Sequence, residues 1–472
     1  MILIKYTEIT RTADLTAYLT ADGIGIHSKQ ADNFQFKMMF YYSKSIPVYL
    51  FTLLFTGLLN ASENNPNTQL KAEPPEWGMQ QIEESHIVQH KQDILENKPG
   101  YSADPAKLIT IVEADRRHVS IVDIDLPEPL HRFKMRNTIQ GEPGYSHKGR
   151  FVYLASGDGW VSKFDLYTLM FVAEIRTGIK LKNITVSGDG RYVMAANESP
   201  QILVILNTDD LSPIKVIPLN DHSENSSASS AVYTAAPRES FILALKDVTE
   251  IWEIFYSDDP PYYGWVHDYR IEGPPEQEPF PVRRITIDDY MDDFFIDRKY
   301  EHLIGSARNK KNVQIVDLII GRKTEEIDLP ASLGFSSASS WDYKDIPVLA
   351  IPDPDKASLS IIDVEDWKRL GEIEILGTAS FVRSQENIPY AWVNIISGPD
   401  KGAVQIIDKS TLKIHKSLQP LPDKSIERIE FTRDGRYALL ILSGSSGEYL
   451  VYDAHTLAEL KRIKMDTSNA SN

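Results

Sequence analysis

Residues 404–414 read VQIIDKSTLKI: a short β-branched run, an aspartate that ends it, a turn, and a second short run. The same phrase recurs along the chain as VSIVDID (119–125), VSKFDLYTL (161–169), ILVILNTDDLSP (202–213), IWEIFYSDD (251–259), VQIVDLIIGRK (313–323), LSIIDVEDWKRL (359–370) and YLVYDAHTLAEL (449–460). Between these sit apolar strands opened by a Gly or charged turn, such as KGRFVYLAS, SGDGRYVMAAN and RDGRYALLIL. None of them follows a 3.6-residue period, so the pattern belongs to sheets.

The repeat distance settles the architecture. Asp123 to Asp165 and Asp165 to Asn207 are each 42 residues, and Asp363, Asp408 and Asp453 follow at 45. A period of about 40 to 50 residues with four short strands per unit marks a β-propeller, whose blades bury their faces only against neighbouring blades. Eight blades over residues 106–467 are predicted, an all-β fold. Residues 258–281, rich in Pro and Gly, read as a long surface loop. Closure is expected from a strand at Leu108–Val112 pairing with the last strands, leaving no open edge. Residues 62–105 read as an extended arm or linker, and 468–472 as a tail.

The totals narrow the function. The 472 residues are 42% hydrophobic and 25% charged, with a net charge of −17, which opposes binding to nucleic-acid phosphates. Without any cysteine there is no disulfide, thiolate metal site, Cys nucleophile or c-type haem attachment. IPVYLFTLLFTGLL (46–59) follows Lys44 and precedes Ala61. This fits a signal peptide over 38–61, or an uncleaved anchor that would tie the chain to a membrane, and either places the rest in the periplasm. Residues 1–37 read as a mis-assigned N-terminal extension, because signal peptides do not usually begin some forty residues into a chain.

Several stretches resemble the d1 domain of cytochrome cd1 nitrite reductase and, more closely, related periplasmic proteins of haem d1 biogenesis: WGMQQIEES, GRFVYLASGDGWVSKFDLYTLMFVAEIRTGI, AVYTAAPRESFILALKD, RRITIDDYMDDFFID and ENIPYAWVNIISGPDKGAVQIID. The resemblance runs from about Trp77 to Met465. It implies an eight-bladed propeller with haem d1 in its central cavity, axial His ligands, and nitrite reduction or d1 maturation as the activity. The loop LPASLGFSSASSW (329–341), built largely from small and hydroxyl-bearing residues, packs little core of its own. It is similar to the relatives' P-H-L-G-S-G-x-T-W, whose distal His falls on Gly334. The second distal His corresponds to Asp353, the proximal His to Gln140, and further family His positions to Gln201 and Gln385. Imidazole is a strong neutral donor to haem iron, whereas Gln and Asp are poor axial ligands and Gly is none. A distal proton donor is also missing at Gly334.

Other candidates have a bland reading beside the functional one. Arg150, Arg191 and Arg308 could clamp propionates through bidentate contacts or stand as surface turn residues. Trp341, Trp160 and Trp392 suit blade packing more than ligand stacking. His147 reads as an exposed turn residue. His86 and His90 form H-x-x-x-H, which on a helix would share a face, and a folded-over arm could offer His86, His90 or Tyr101 to the cavity. Asp288, Asp289, Asp292 and Asp293 could suggest a cation site, but a solvated loop is the simpler account.

Three functions remain open. One is a non-catalytic binding or assembly factor for haem d1, a precursor, or a partner nitrite reductase or biogenesis protein. Another is an active maturation enzyme or reductase with non-His ligation, and the last a scaffold without tetrapyrrole.

Overall fold

The structure is a computed structural model with two compact units, Met1–Glu76 and Trp77–Asn472. It describes residues 4–6, 15–20 and 23–28 of the first. Of the second it describes 77–464, except 91–97, 105–106, 114–116, 222, 262–277, 310–311, 331, 421–423 and 443–447. The expected signal segment (38–61) and tail (468–472) lie outside the described residues. In the first unit three short strands, Ile4–Tyr6, Leu15–Thr20 and Gly23–Ser28, form an antiparallel sheet.

The second unit is an eight-bladed β-propeller of antiparallel meanders. The blades span 108–134, 144–176, 180–218, 233–286, 294–327, 339–374, 382–418 and 426–464. Strands step outward from the axis in chain order, and the first strand of blade 3 touches those of blades 2 and 4. Each repeated phrase is the third strand of a blade plus the turn to the fourth, and its physical basis is visible. Asp165, Asn207, Asp317, Asp363, Asp408 and Asp453 end third strands, and each carboxylate or amide oxygen accepts the N–H two residues on. Four residues on, Leu169, Leu211, Gly321, Trp367, Leu412 and Leu457 adopt positive φ, and the ladder shifts register there. This is a hairpin turn closed by a bulge, with an Asx cap at its start.

Eight apolar clusters hold the ring, one at each junction between neighbouring blades. Two expectations need correction. Closure involves no exchange of strands: Leu108–Val112 pairs with His118–Asp123 inside blade 1, and blade 8 is complete in itself. Blade 1 shows three strands among the described residues and lacks the innermost one. The ring closes by face packing of Ile109, Ile111 and Val122 on Leu439, Tyr449 and Ile463. The arm is not simply extended either. Met79–Glu84 forms a short helix whose Ile82 is buried in the cluster of blades 2 and 3, and Ile87–Val88 adds a fifth strand to the outer edge of blade 2. Ile82, with Trp77 beside it, packs into that cluster, while Ile87 and Val88 stay exposed and their backbone covers an otherwise open edge. Residues 98–104 then run beside the last turn of blade 2, where the Gly100 N–H and Tyr101 hydroxyl donate to Tyr167 and Leu166 carbonyls.

Candidate functional site

A meander of this kind has two ends. Loops between blades and the turns joining strands 2 and 3 share one, called here the junction end. The turns joining strands 1 to 2 and 3 to 4 share the other. Gly334 and Asp353 meet at the junction end of blade 6, where the Gly334 N–H approaches the Pro352 carbonyl at 3.5 Å. Gln140 lies at the same end in the loop entering blade 2, its N–H on the Ala155 carbonyl. Blades 2 and 6 are four apart in a ring of eight, so Gln140 stands across the channel from the other two. Asp353 is 4% exposed and its carboxylate accepts the Asp355 N–H, which makes it a turn cap.

The loop 329–341 packs more core than its small residues suggest. Leu329, Leu333 and Phe335 are buried between blades 5 and 6, and the Ser336 N–H donates to Asp293. Burial pushes the Asp293 carboxyl up, against the hydrogen bonds from Ser336 that pull it down. Tyr233, on the first strand of blade 4, is pushed up to about 12 by burial and then by Asp293. A carboxyl that holds its proton more tightly than usual therefore sits beside Gly334.

The three arginines separate. Arg308 is at the junction end, paired with Asp292, donating to the Lys246 carbonyl and stacked over Tyr290. Arg150 and Arg191 follow 1–2 turns and lie at the opposite end, Arg150 bidentate on Asp165 and Arg191 on Asp189 and Asp258. They cannot clamp a ligand held at the junction end, and all three guanidinium groups already have carboxylate partners. Trp341, on the first strand of blade 6, is buried at 3% exposure and borders a separate cleft at the opposite end.

The arm's ring nitrogens do not reach the channel. His86 Nε2 lies 2.7 Å from the Asp210 carbonyl, and His90 Nδ1 lies 3.1 Å from the Phe171 carbonyl, both on the outer rim of blades 2 and 3. The shared-face metal reading and the substitute-ligand reading both fail on this geometry. His147 is an exposed turn residue at the end opposite Gly334. None of the described histidines of the propeller lies on a first strand or in a loop between blades. The acidic run 288–293 is dispersed: Asp288 pairs with Lys323, Asp289 caps the Tyr290 and Asn309 N–H groups, Asp292 takes Arg308 and Asp293 takes Ser336. Asp297, Glu301 and His302 also gather, but Asp297 is occupied capping the Glu301 and His302 N–H groups.

A cluster that the sequence reading missed lines the channel beside blade 1, where the described residues include no inner strand. Arg428 of blade 8 reaches across the gap to Glu142 of the loop entering blade 2 at 2.9 Å, and its Nε lies 3.6 Å from Glu430. Tyr145, Thr110 and Arg383 complete the group. About a third of the Glu430 side chain remains open to the channel, yet surrounding protein pushes its carboxyl up to about 7. Glu142 adds to the rise, while Arg428 and Arg383 oppose it. Burial likewise raises Tyr145. Arg383 makes no ion pair among the described residues; its guanidinium stacks over Phe381 at 5.0 Å. The alternation in SIERIEF (425–431), charged against apolar on a first strand, is the signal that could have found this wall.

Among the described residues, the channel wall thus carries one cation, Arg383, without a carboxylate ion pair. A model of the cytochrome D1 heme domain matches residues 103–470, and the chain belongs to that family. It is 39% identical over 392 residues to a dihydro-heme d1 dehydrogenase of Pseudomonas aeruginosa, covering 83% of this chain and 76% of the relative. It is 24% identical over 338 residues to the protein NirF of Stutzerimonas stutzeri, covering 68% and 78%. Among solved structures, dihydro-heme d1 dehydrogenase NirN in complex with DHE superposes with a TM-score of 0.76 at 39% identity, over 84% of this chain and 81% of that one. Sqt1 of Saccharomyces cerevisiae, at 10% identity and a TM-score of 0.52 over 68% and 84%, shares the fold alone. Among the described residues no helix is long and apolar enough to cross a membrane.

Proposed function

We propose that this propeller binds haem d1 or its dihydro precursor in the central channel and serves haem d1 maturation, not nitrite reduction. The observation that carries this reading is the 39% identity, over 83% of the chain, to a dihydro-heme d1 dehydrogenase. Arg383 and, beyond its pair with Glu142, Arg428 are the cations that would face the ligand's carboxylates. When bound, the tetrapyrrole supplies the redox-active ring system. The chain itself supplies a walled channel, two cations and, in Asp293 and Glu430, carboxyls that keep protons to higher pH than usual.

Taking Gln140, Gly334 and Asp353 as the counterparts of the family's imidazole positions, as the resemblance implies, the protein holds the macrocycle as a binding or assembly factor and hands it to a partner such as a nitrite reductase. The description of the 39% relative favours a second reading, two-electron oxidation of the bound precursor. That oxidation needs an electron acceptor, and these 472 residues, without cysteine, attach no c-type haem to serve as one. The apolar stretch 46–59 supports export and a periplasmic site of action.

Visible spectra of the protein mixed with haem d1 and with dihydro-haem d1 test this. Saturable binding of either, without nitrite turnover, is expected; conversion of the dihydro form when an electron acceptor is added selects the dehydrogenase reading. Failure to bind either macrocycle leaves a scaffold. In a Gln140→His/Gly334→His variant the affinity for haem d1 rises and the bands shift toward low spin; unchanged affinity means that the two positions do not flank the metal.

A further inference from the structure

The end of the ring opposite Gly334 and Asp353 carries a cleft of about 720 Å³ between blades 5, 6 and 7, within the size range of small-molecule sites. Its walls include Phe295, Trp341 and Tyr390, with the Ser339 and Ser340 hydroxyls between them and Lys409 at its base. The polar groups divide unevenly. At the mouth Arg298 is matched by Asp342 at 2.9 Å and Glu386 at 3.6 Å. The Asp408 carboxylate is occupied by the Ser410 and Thr411 N–H groups of its own turn. The carboxylates bordering the cleft are therefore already engaged.

The donors are not. Lys409, 9% exposed, gives two N–H groups to the Gln385 and Ile388 carbonyls at 2.7 and 2.6 Å, which leaves the third of its ammonium. Trp341 is 97% buried by the same measure, and its indole N–H has no partner. That N–H has no exposed surface and stays out of a ligand's reach, so the cleft's unmatched donor is the Lys409 ammonium, and a buried donor without an acceptor costs about 1–3 kcal/mol. The neighbouring surfaces are aromatic rings. An acceptor on a flat apolar body matches both features.

We propose that this cleft binds a small planar organic carboxylate, with its carboxylate on Lys409 and its ring against Phe295 and Tyr390. The site is separate from the channel cluster and goes beyond the macrocycle reading, on which it does not depend. Burial also draws the Lys409 pKa down to about 8, and a bound anion would raise it again.

The test is a titration of the full chain, followed by tryptophan fluorescence and ligand-detected NMR. Benzoate is the probe, compared with benzamide (no charge) and acetate (no ring). Benzoate is expected to saturate, with both comparison ligands about 10-fold weaker or more. Lys409→Met should weaken benzoate by about 10-fold, the size of one charge-assisted hydrogen bond. Lys409 also ties down the blade-7 turn, so Ser340→Leu, which fills the cleft without touching that turn, guards against misfolding and should abolish benzoate binding. None of these variants should change the haem d1 titration. The proposal is overturned if benzoate shows no saturable binding up to about 10 mM, if acetate or benzamide matches it, or if Ser340→Leu binds like the wild type.

Discussion

The junction between blades 4 and 5 and the seam across blade 1 are held by opposite means. At the first, Glu253 is fully buried and receives Arg238 at 2.6 Å, Arg283 at 3.2 Å and the Ser240 hydroxyl at 3.0 Å, and both guanidinium groups continue to the Leu318 carbonyl in blade 5. At the seam the cross-ring ion pair is wet, with Glu142 60% exposed, and the closing force is apolar contact between blades 1 and 8. Where two complete sheets meet, a buried polar lock is sheltered enough to be strong. At the seam, where the described residues of blade 1 include no innermost strand, the pair is largely exposed, and charges there tune proton affinity more than they hold the ring.

Glu253→Ala should show the largest effect. It leaves two buried guanidinium groups facing each other without their carboxylate, a change worth about 3–5 kcal/mol. Urea unfolding should record it as a large fall in midpoint; a loss near 1 kcal/mol would mean that the lock is as solvated as the seam. Leu439→Ala, which opens a cavity in the seam cluster, should cost about 2–4 kcal/mol. If Leu439→Ala proves much milder than a matched Leu→Ala change at Leu203 in blade 3, closure does not rest on face packing.

Glu430→Gln sharpens the contrast through pH. The folded pKa, about 7, is raised above the ordinary value of 4.5. The stabilisation this proton gives is complete below pH 4.5 and is lost as pH rises through 7. Glutamine mimics the protonated acid, so at pH 8 the variant should be more stable than the wild type. The gain is about 1–2 kcal/mol after discounting for the open third of the side chain, and it closes toward pH 4.5. Parallel stability curves for the two proteins across pH 4.5–8.5 would remove Glu430 from the set of perturbed groups.

Much of the fold was legible because one turn writes itself into six of the eight blades. The strand-ending aspartate and the positive-φ residue four positions later are both chemical necessities of that hairpin, so they recur even where strands diverge. The seam was not legible, since closure by side-chain contact leaves no strand pattern to read. The arm was misread because its anchors, Trp77 and Ile82, are isolated apolar residues in a polar run. For the site, position in the repeat decides which end a residue faces. Arg150 and Arg191 follow 1–2 turns and so belong to the end away from Gly334, a deduction available from the repeat alone. The channel group needed the missing strand to be known first, because only then do Glu142 and Arg428, 286 residues apart, become neighbours.

The smallest stability effect is expected at Glu142→Gln, and it separates the two roles of the seam charges. Glu142 is mostly exposed, so its pair with Arg428 contributes about 0–1 kcal/mol, and Arg428 keeps Glu430 at 3.6 Å in the variant. Removing the Glu142 charge nevertheless takes away one of the two influences that raise Glu430. The carboxyl then ionises at lower pH, and the pH at which stability falls should move down by a measurable fraction of a unit while the midpoint at pH 5 hardly changes. An NMR titration of the labelled Glu430 carboxyl in both proteins reads this directly. A shift in the titration without a loss of stability is what a solvated seam requires; a loss of several kcal/mol with no titration shift would make the Glu142–Arg428 pair a structural lock of the Glu253 kind.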